Sequence, residues 1–206
     1  MSVLVSTSLL AQVKIACVGN SITEGWFGYP SYVQPLRELL DSNYVVQNFG
    51  KSGATVLRAG DVPYWSQPAF SQVLESDADV ILIMLGTNDT KPQNWNLHNR
   101  EFKLDYAELI DTLYSTNQSA LIYPVIPPPV CKDNYGIRDS MLQSQIPILK
   151  EIADEKGLAL IDIRTPLRSV CDSFKDGVHP TQPAADSIAA VIYRHLVQLQ
   201  PESKVK

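Results

Sequence analysis

Two short stretches of the sequence hold residue types that can attack a carbon and move a proton. Gly19-Asn20-Ser21 follows the apolar run Val13 to Val18. A serine on the turn after a buried strand exposes its hydroxyl and turns its own N–H toward any bound anion. Far along the chain, Asp176-Gly177-Val178-His179-Pro180 sets a carboxylate three residues ahead of a histidine. Through a turn, that carboxylate can reach the ring, fix its tautomer and stabilise the imidazolium formed when the histidine takes a serine proton. Two further stretches offer N–H donors. Asn88 stands in Gly86-Thr87-Asn88-Asp89, and Gly53 in Lys51-Ser52-Gly53-Ala54-Thr55, where a bare backbone lets an N–H approach a substrate oxygen.

Each stretch also has a plainer reading. Gly-Asn-Ser and Gly-Thr-Asn-Asp are ordinary turn chemistry, and Asp-x-x-His arises often in surface turns. Taken together they make a working set: nucleophile Ser21, base His179, orienting acid Asp176, and an oxyanion hole from the N–H of Ser21, the N–H of Gly53 and the amide of Asn88. Acyl transfer needs these parts, because its tetrahedral intermediate places negative charge on the former carbonyl oxygen. Of the other histidines, His195 falls within a C-terminal helical pattern and His98 in a polar loop.

The elements between these stretches alternate. Strands are expected at Val13 to Val18, Tyr44 to Phe49, Asp79 to Gly86, Ala120 to Ile126 and Leu158 to Ile163. The unbroken apolar run after Asp79 suits a central parallel strand covered on both faces. Helices are expected at Tyr32 to Leu40, with Val33, Leu36, Leu39 and Leu40 at helical spacing, and at Pro68 to Leu74 after a loop from Asp61 to Ser66. Further helices are expected at Phe102 to Tyr114, with Leu104, Leu109, Ile110 and Leu113 inward, and at Ser140 to Lys156, interrupted or begun near Pro147. The last runs from Ala184 to Gln200, with Pro183 at its first turn. Alternating strands and helices predict an α/β fold: a parallel sheet with helices on both faces and ligands beyond the carboxyl ends of the strands. Ser21, Gly53 and Asn88 all fall at such ends.

The chain has 206 residues, 45% apolar and 19% charged, which fits one domain over 13–200. Its net charge of −5 argues against a nucleic-acid or anionic-membrane binder. No apolar run reaches the roughly 18 residues a membrane span needs. Residues 1–12 are uncharged and end in Leu9-Leu10-Ala11-Gln12, like a signal-peptide remnant without its basic start. A disordered N-terminus of a cytosolic protein is the alternative; a secreted or periplasmic location is slightly favoured. Three cysteines give an odd count: Cys17 reads as a small buried hydrophobe, and Cys131 and Cys171 could be bridged if the protein is exported. No cysteine or histidine spacing suggests a zinc site.

Gly19-Asn20-Ser21-Ile22-Thr23, Asn48-Phe49-Gly50-Lys51-Ser52-Gly53, Gly86-Thr87-Asn88-Asp89 and Asp176-Gly177-Val178-His179 resemble, in order, the blocks of the SGNH (GDSL-like) hydrolases. The resemblance implies a three-layer α/β/α sandwich with a flavodoxin-like parallel sheet of about five strands. It also implies ester hydrolysis through an acyl-serine intermediate without metal or organic cofactor, and the roles given above for Ser21, Gly53, Asn88, Asp176 and His179. Asn20 departs from the commoner aspartate; hydrogen bonding at the turn is expected to differ, proton transfer is not. The stretches from Thr87 to Tyr106, Pro124 to Pro129 and Asn134 to Arg138 look like bacterial carbohydrate-active relatives such as sialate O-acetylesterases and acetylxylan esterases. Short loops leave little sequence for a lipid-binding lid. Trp26, Tyr64, Trp65 and Trp95 are expected in loops near the site, either stacking on sugar rings or covering the core edge. The substrate is thus expected to be a small-molecule or oligosaccharide ester. A lysophospholipase or thioesterase, a non-catalytic carbohydrate-binding relative and a flavodoxin-like nucleotide binder stay open as alternatives, the last lacking a glycine-rich phosphate loop. Oligomeric state is not legible.

Overall fold

The computed structural model describes residues 12–198, so nearly all of the signal-like segment and the expected helix end at Gln200 lie outside the described residues. Five strands, β1 (Val13–Gly19), β2 (Tyr44–Gly50), β3 (Val80–Met84), β4 (Leu121–Ile126) and β5 (Ile161–Asp162), form one sheet in the order β2-β1-β3-β4-β5. All four pairings are parallel. Between them run α1 (Ser21–Glu24), α2 (Val33–Leu39), α3 (Pro68–Leu74), α4 (Pro92–His98), α5 (Phe102–Thr116) and α6 (Asp139–Lys156); α7 (Arg164–Leu167) and α8 (Gln182–Gln198) follow β5.

The sheet separates two cores because successive side chains on a strand point to opposite faces. Ala16, Val18, Ile81, Ile83 and Ile122 meet α3, α5 and α6 on one side. Ile15, Cys17, Leu82, Met84, Tyr123 and Val125 meet α2 and α8 on the other. Every residue of β3 is buried, as expected of a strand covered on both faces. Cys17 is wholly buried, which pushes its thiol up to about 12.

Several local expectations need correcting. Leu104 is 61% exposed. The inner stripe of α5 begins at Phe102 and returns at Tyr106, Leu109, Ile110 and Leu113, and a residue two beyond Phe102 points away from it. Leu39 is also exposed: it ends α2, and Leu40, with extended backbone, fills the core instead. Helix α6 runs unbroken through Pro147, which lies on the solvent face, where water can meet the carbonyl it leaves unpaired. The stretch before Asn99 is helical rather than a polar loop. Strand β5 is only two residues long, pairing Ile161 with Val125 and Asp162 with Ile126. Pro124 and Pro127 flank that pair on β4 and have no N–H to extend the ladder.

A disulfide joins Cys131, in the loop after β4, to Cys171, in the helical turn Arg168–Ser173, across 40 residues. Closing a loop of that length removes roughly 4 kcal/mol of unfolded-state entropy in the chain-entropy treatment. Titration under denaturing conditions should find one free thiol before reduction and three after it, and reduction should lower the denaturation midpoint. Three free thiols without reductant would contradict the bridge.

Candidate active site

The strand register brings three of the expected site residues to one edge of the sheet. Gly19 stands opposite Gly50 of β2 and Met84 of β3, so the carboxyl ends of β1, β2 and β3 are level. Ser21, Gly53 and Asn88 follow within a few residues of that line. Helix α1 packs hard onto it: a Cβ on Gly19 would lie 2.0 Å from Thr23 Oγ1, and one on Gly50 would lie 2.2 Å from the Glu24 nitrogen. Only glycine permits this approach at either position. Asn20 caps α1, its Oδ1 accepting from the Ile22 N–H at 3.0 Å. Its buried Nδ2 has no acceptor among the described residues. Asn48 ties β2 to the same turn, donating from Nδ2 to the Thr23 carbonyl at 2.7 Å and accepting from the Gly50 N–H at 2.9 Å.

The three residues expected to act together are in contact. Ser21 Oγ lies 2.9 Å from His179 Nε2, and His179 Nδ1 lies 2.7 Å from Asp176 Oδ2. With a proton on Nδ1 facing the carboxylate, Nε2 accepts from the serine hydroxyl. The other carboxylate oxygen, Oδ1, accepts from the N–H groups of Val178 at 2.9 Å and His179 at 2.7 Å. Burial alone would raise the Asp176 carboxyl, but these amides and the imidazole outweigh it and hold the group below its ordinary value. The turn itself is pinned from behind. Gly177 accepts from the Cys131 N–H at 2.7 Å, and a Cβ there would lie 2.2 Å from the Lys132 carbonyl oxygen.

Gly53, at φ +80°, sits in a loop held from three directions. Glu24 accepts from the Ser52 N–H at 2.5 Å and from the Ser52 hydroxyl. Asn88 Nδ2 donates to the Ala54 carbonyl at 3.2 Å, which leaves its second amide proton unused by that bond. Asp89 accepts from the N–H groups of Val56 at 3.2 Å and Leu57 at 2.9 Å. Sequence reasoning assigned Asp89 no role, although it stands in the same motif as Asn88. It is wholly buried, and burial pushes its carboxyl up to about 7 despite the two amides.

Only one of the four expected aromatic residues reaches the site. Tyr64 is fully buried and donates to the Phe49 carbonyl at 2.7 Å; Trp95 is 8% exposed in the core. Trp65 donates from Nε1 to the Val56 carbonyl at 2.8 Å, with the Arg58 guanidinium 3.5 Å above its ring. These three cover the core. Trp26 instead stacks on the His179 ring, centroids 4.6 Å apart, and Tyr29 and Tyr135 lie 5.3 Å and 5.8 Å from the same ring. Tyr29 had no distinguishing signal; Tyr135 lay in a stretch marked only for its likeness to carbohydrate-active relatives. His98 ends α4 in contact with Glu101 at 3.3 Å, and His195 lies near the end of α8. Among the described residues no three His, Cys, Asp or Glu side chains gather as a metal ion would require.

Residues 17–185 match the GDSL-like Lipase/Acylhydrolase family. The chain belongs to that family. An acetylxylan esterase of Xylanibacter ruminicola is 33% identical to this GDSL-like chain over 206 aligned residues, 87% of this chain and 42% of the relative. The chain thus spans about two fifths of the curated relative it matches. A carbohydrate acetylesterase from Sinorhizobium meliloti shares the fold at 18% identity and a TM-score of 0.73, covering 92% of this chain and all of that one (100%). A catalytic mutant of an acetylxylan esterase from Geobacillus stearothermophilus does so at 20% identity and 0.68, covering 90% and 94%. The three-layer α/β/α arrangement with five parallel strands is the fold these hydrolases share with this chain.

Asp89 generates a stability prediction. Its folded value of about 7 exceeds its ordinary 3.8, so the folded state holds its proton more tightly than the unfolded state does. Its contribution to stability is then full below about pH 4 and is lost as pH rises toward 7. The stability of wild type relative to Asp89→Asn should therefore fall between those limits and level off above them. A difference that stays constant from pH 4 to 8, measured by urea unfolding, would contradict this.

Proposed function

We propose that the protein hydrolyses acetyl esters carried on carbohydrate, through an acyl-serine intermediate. The observation that carries the reading is the line from Ser21 Oγ to His179 Nε2 at 2.9 Å and from His179 Nδ1 to Asp176 Oδ2 at 2.7 Å. Ser21 Oγ bonds to the acyl carbon as its proton passes to His179 Nε2, and Asp176 stabilises the imidazolium. The face of Trp26 against the ring adds to that stabilisation. Negative charge on the former carbonyl oxygen meets the N–H of Ser21, the N–H of Gly53 and the amide of Asn88. Collapse breaks the bond to the sugar oxygen, which takes the proton from His179. Water then gives a proton to His179 and attacks the acyl carbon, and Ser21 leaves with that proton as acetate is released.

The carbohydrate part of the reading draws on the acetylxylan esterase relative and on the aromatic residues around His179. Hydrolysis of p-nitrophenyl acetate, butyrate and octanoate separates it from a lipid or thioester hydrolase. Acetate should be fastest, and Ser21→Ala should lower kcat by roughly 10⁴-fold or more. Asn88→Ala should lower it by about 10²–10³-fold, the usual loss for one oxyanion donor. A preference for octanoate, or activity retained by Ser21→Ala, would contradict the proposal.

A further inference from the structure

Two tight turns flank His179 and share an unusual build. Trp26 and Tyr29 pair across Phe27-Gly28, and Asn134 and Ile137 pair across Tyr135-Gly136. In both, the two central residues have positive φ: 35° and 85° in the first, 52° and 76° in the second. Turns of this kind favour Asn-Gly or Asp-Gly, because a left-handed backbone strains an ordinary side chain. Here an aromatic residue occupies the strained position twice, and core packing does not compensate it: Phe27 is 90% exposed and Tyr135 49%. Strained backbone that burial does not explain points to use at the surface.

The rings meet around one indole. Phe27 and Tyr135 lie 5.2 Å and 5.5 Å from Trp26, nearly perpendicular to it at 83° and 78°, and Trp26 stacks on His179. Beside Phe27 opens a shallow cavity of about 660 Å³, lined also by Tyr29, Lys175, Thr181 and Gln182. It pairs aromatic faces with ammonium, hydroxyl and amide groups. A pyranose ring has the matching character, an apolar C–H face edged with hydroxyls, whereas an acyl chain offers those polar groups nothing to hydrogen-bond.

We propose that Phe27 and Tyr135 are specificity-determining residues that receive a pyranose ring of the substrate beside the reacting ester. This rests on the carbohydrate-ester reading above and adds the place where the sugar sits. Phe27→Asn gives the sharpest test, since asparagine suits the left-handed position and removes only the ring. The full chain, as wild type, Phe27→Asn and Phe27→Trp, is assayed on acetylated xylotetraose and on triacetin, an acetyl ester without a sugar ring. For Phe27→Asn, the ratio of kcat/KM on the sugar ester to that on triacetin should fall about tenfold through KM, with the Tm unchanged or raised. Phe27→Trp should keep the wild-type ratio. An unchanged ratio in Phe27→Asn, or an equal fall on both substrates with a lowered Tm, would overturn the proposal. Wild type that hydrolyses triacetin but not the sugar ester would overturn it while leaving the esterase reading intact. Wild type inert on both would overturn the esterase reading and this proposal with it.

Discussion

One line of hydrogen bonds, from Asp176 through the His179 ring to Ser21 Oγ, joins parts of the chain 158 residues apart. Its two distances leave little tolerance, because proton transfer needs the base within ordinary hydrogen-bond reach. The Ser21 end is set by close packing: Gly19 and Gly50 let α1 rest directly on the ends of β1 and β2. The His179 end is set by the Asp176 to His179 turn, pressed against the loop after β4 at Gly177 and held near the bridge to Cys171. The parallel sheet, covered on both faces, is what keeps these two ends in fixed relation.

The loop around Gly53 is organised by polar side chains, two of them buried, rather than by packing. Glu24, Asn88 and Asp89 each hold a different point of the loop around Gly53. Burying a carboxylate such as Asp89 is costly, and its raised protonation range reflects that cost. The same trade recurs at Phe27 and Tyr135, where backbone strain is kept at exposed positions beside the site. Positions that work against stability thus gather at this end of the sheet, a distribution expected of a functional site.

The contacts among Ser21, His179 and Asp176 were legible in the sequence where chemistry and local spacing coincide. Ser21 on its strand-end turn and Asp176 three residues before His179 can be named because few residue types do this chemistry and the turns are short. The succession of strands along the chain followed from apolar runs such as the one that holds Val80 to Met84. What depended on tertiary packing was not legible. Tyr64, Trp65 and Trp95 have the same residue types as Trp26, yet only the folded chain separates core aromatics from those at the site. Asp89 looked like a turn residue because its partners, Val56 and Leu57, lie more than thirty positions away. Leu104 misled because apolar character alone does not tell a helix's inner stripe from its outer face. Pro147 misled because a proline on a solvent face costs a helix less than one facing the core. The 5.4 Å between the Cα atoms of Cys131 and Cys171 could not be read from their spacing.

The central claim is that His179 and Asp176 make Ser21 the one activated serine of the chain. Incubation with a small fluorophosphonate, followed by intact-mass measurement and peptide mapping, tests it most directly, since the reagent reports nucleophilicity without any assumption about substrate. One adduct per chain, confined to the peptide holding Ser21 and forming far more slowly in His179→Ala, is the expected result. No adduct, an adduct on another residue, or equal labelling in His179→Ala would contradict it.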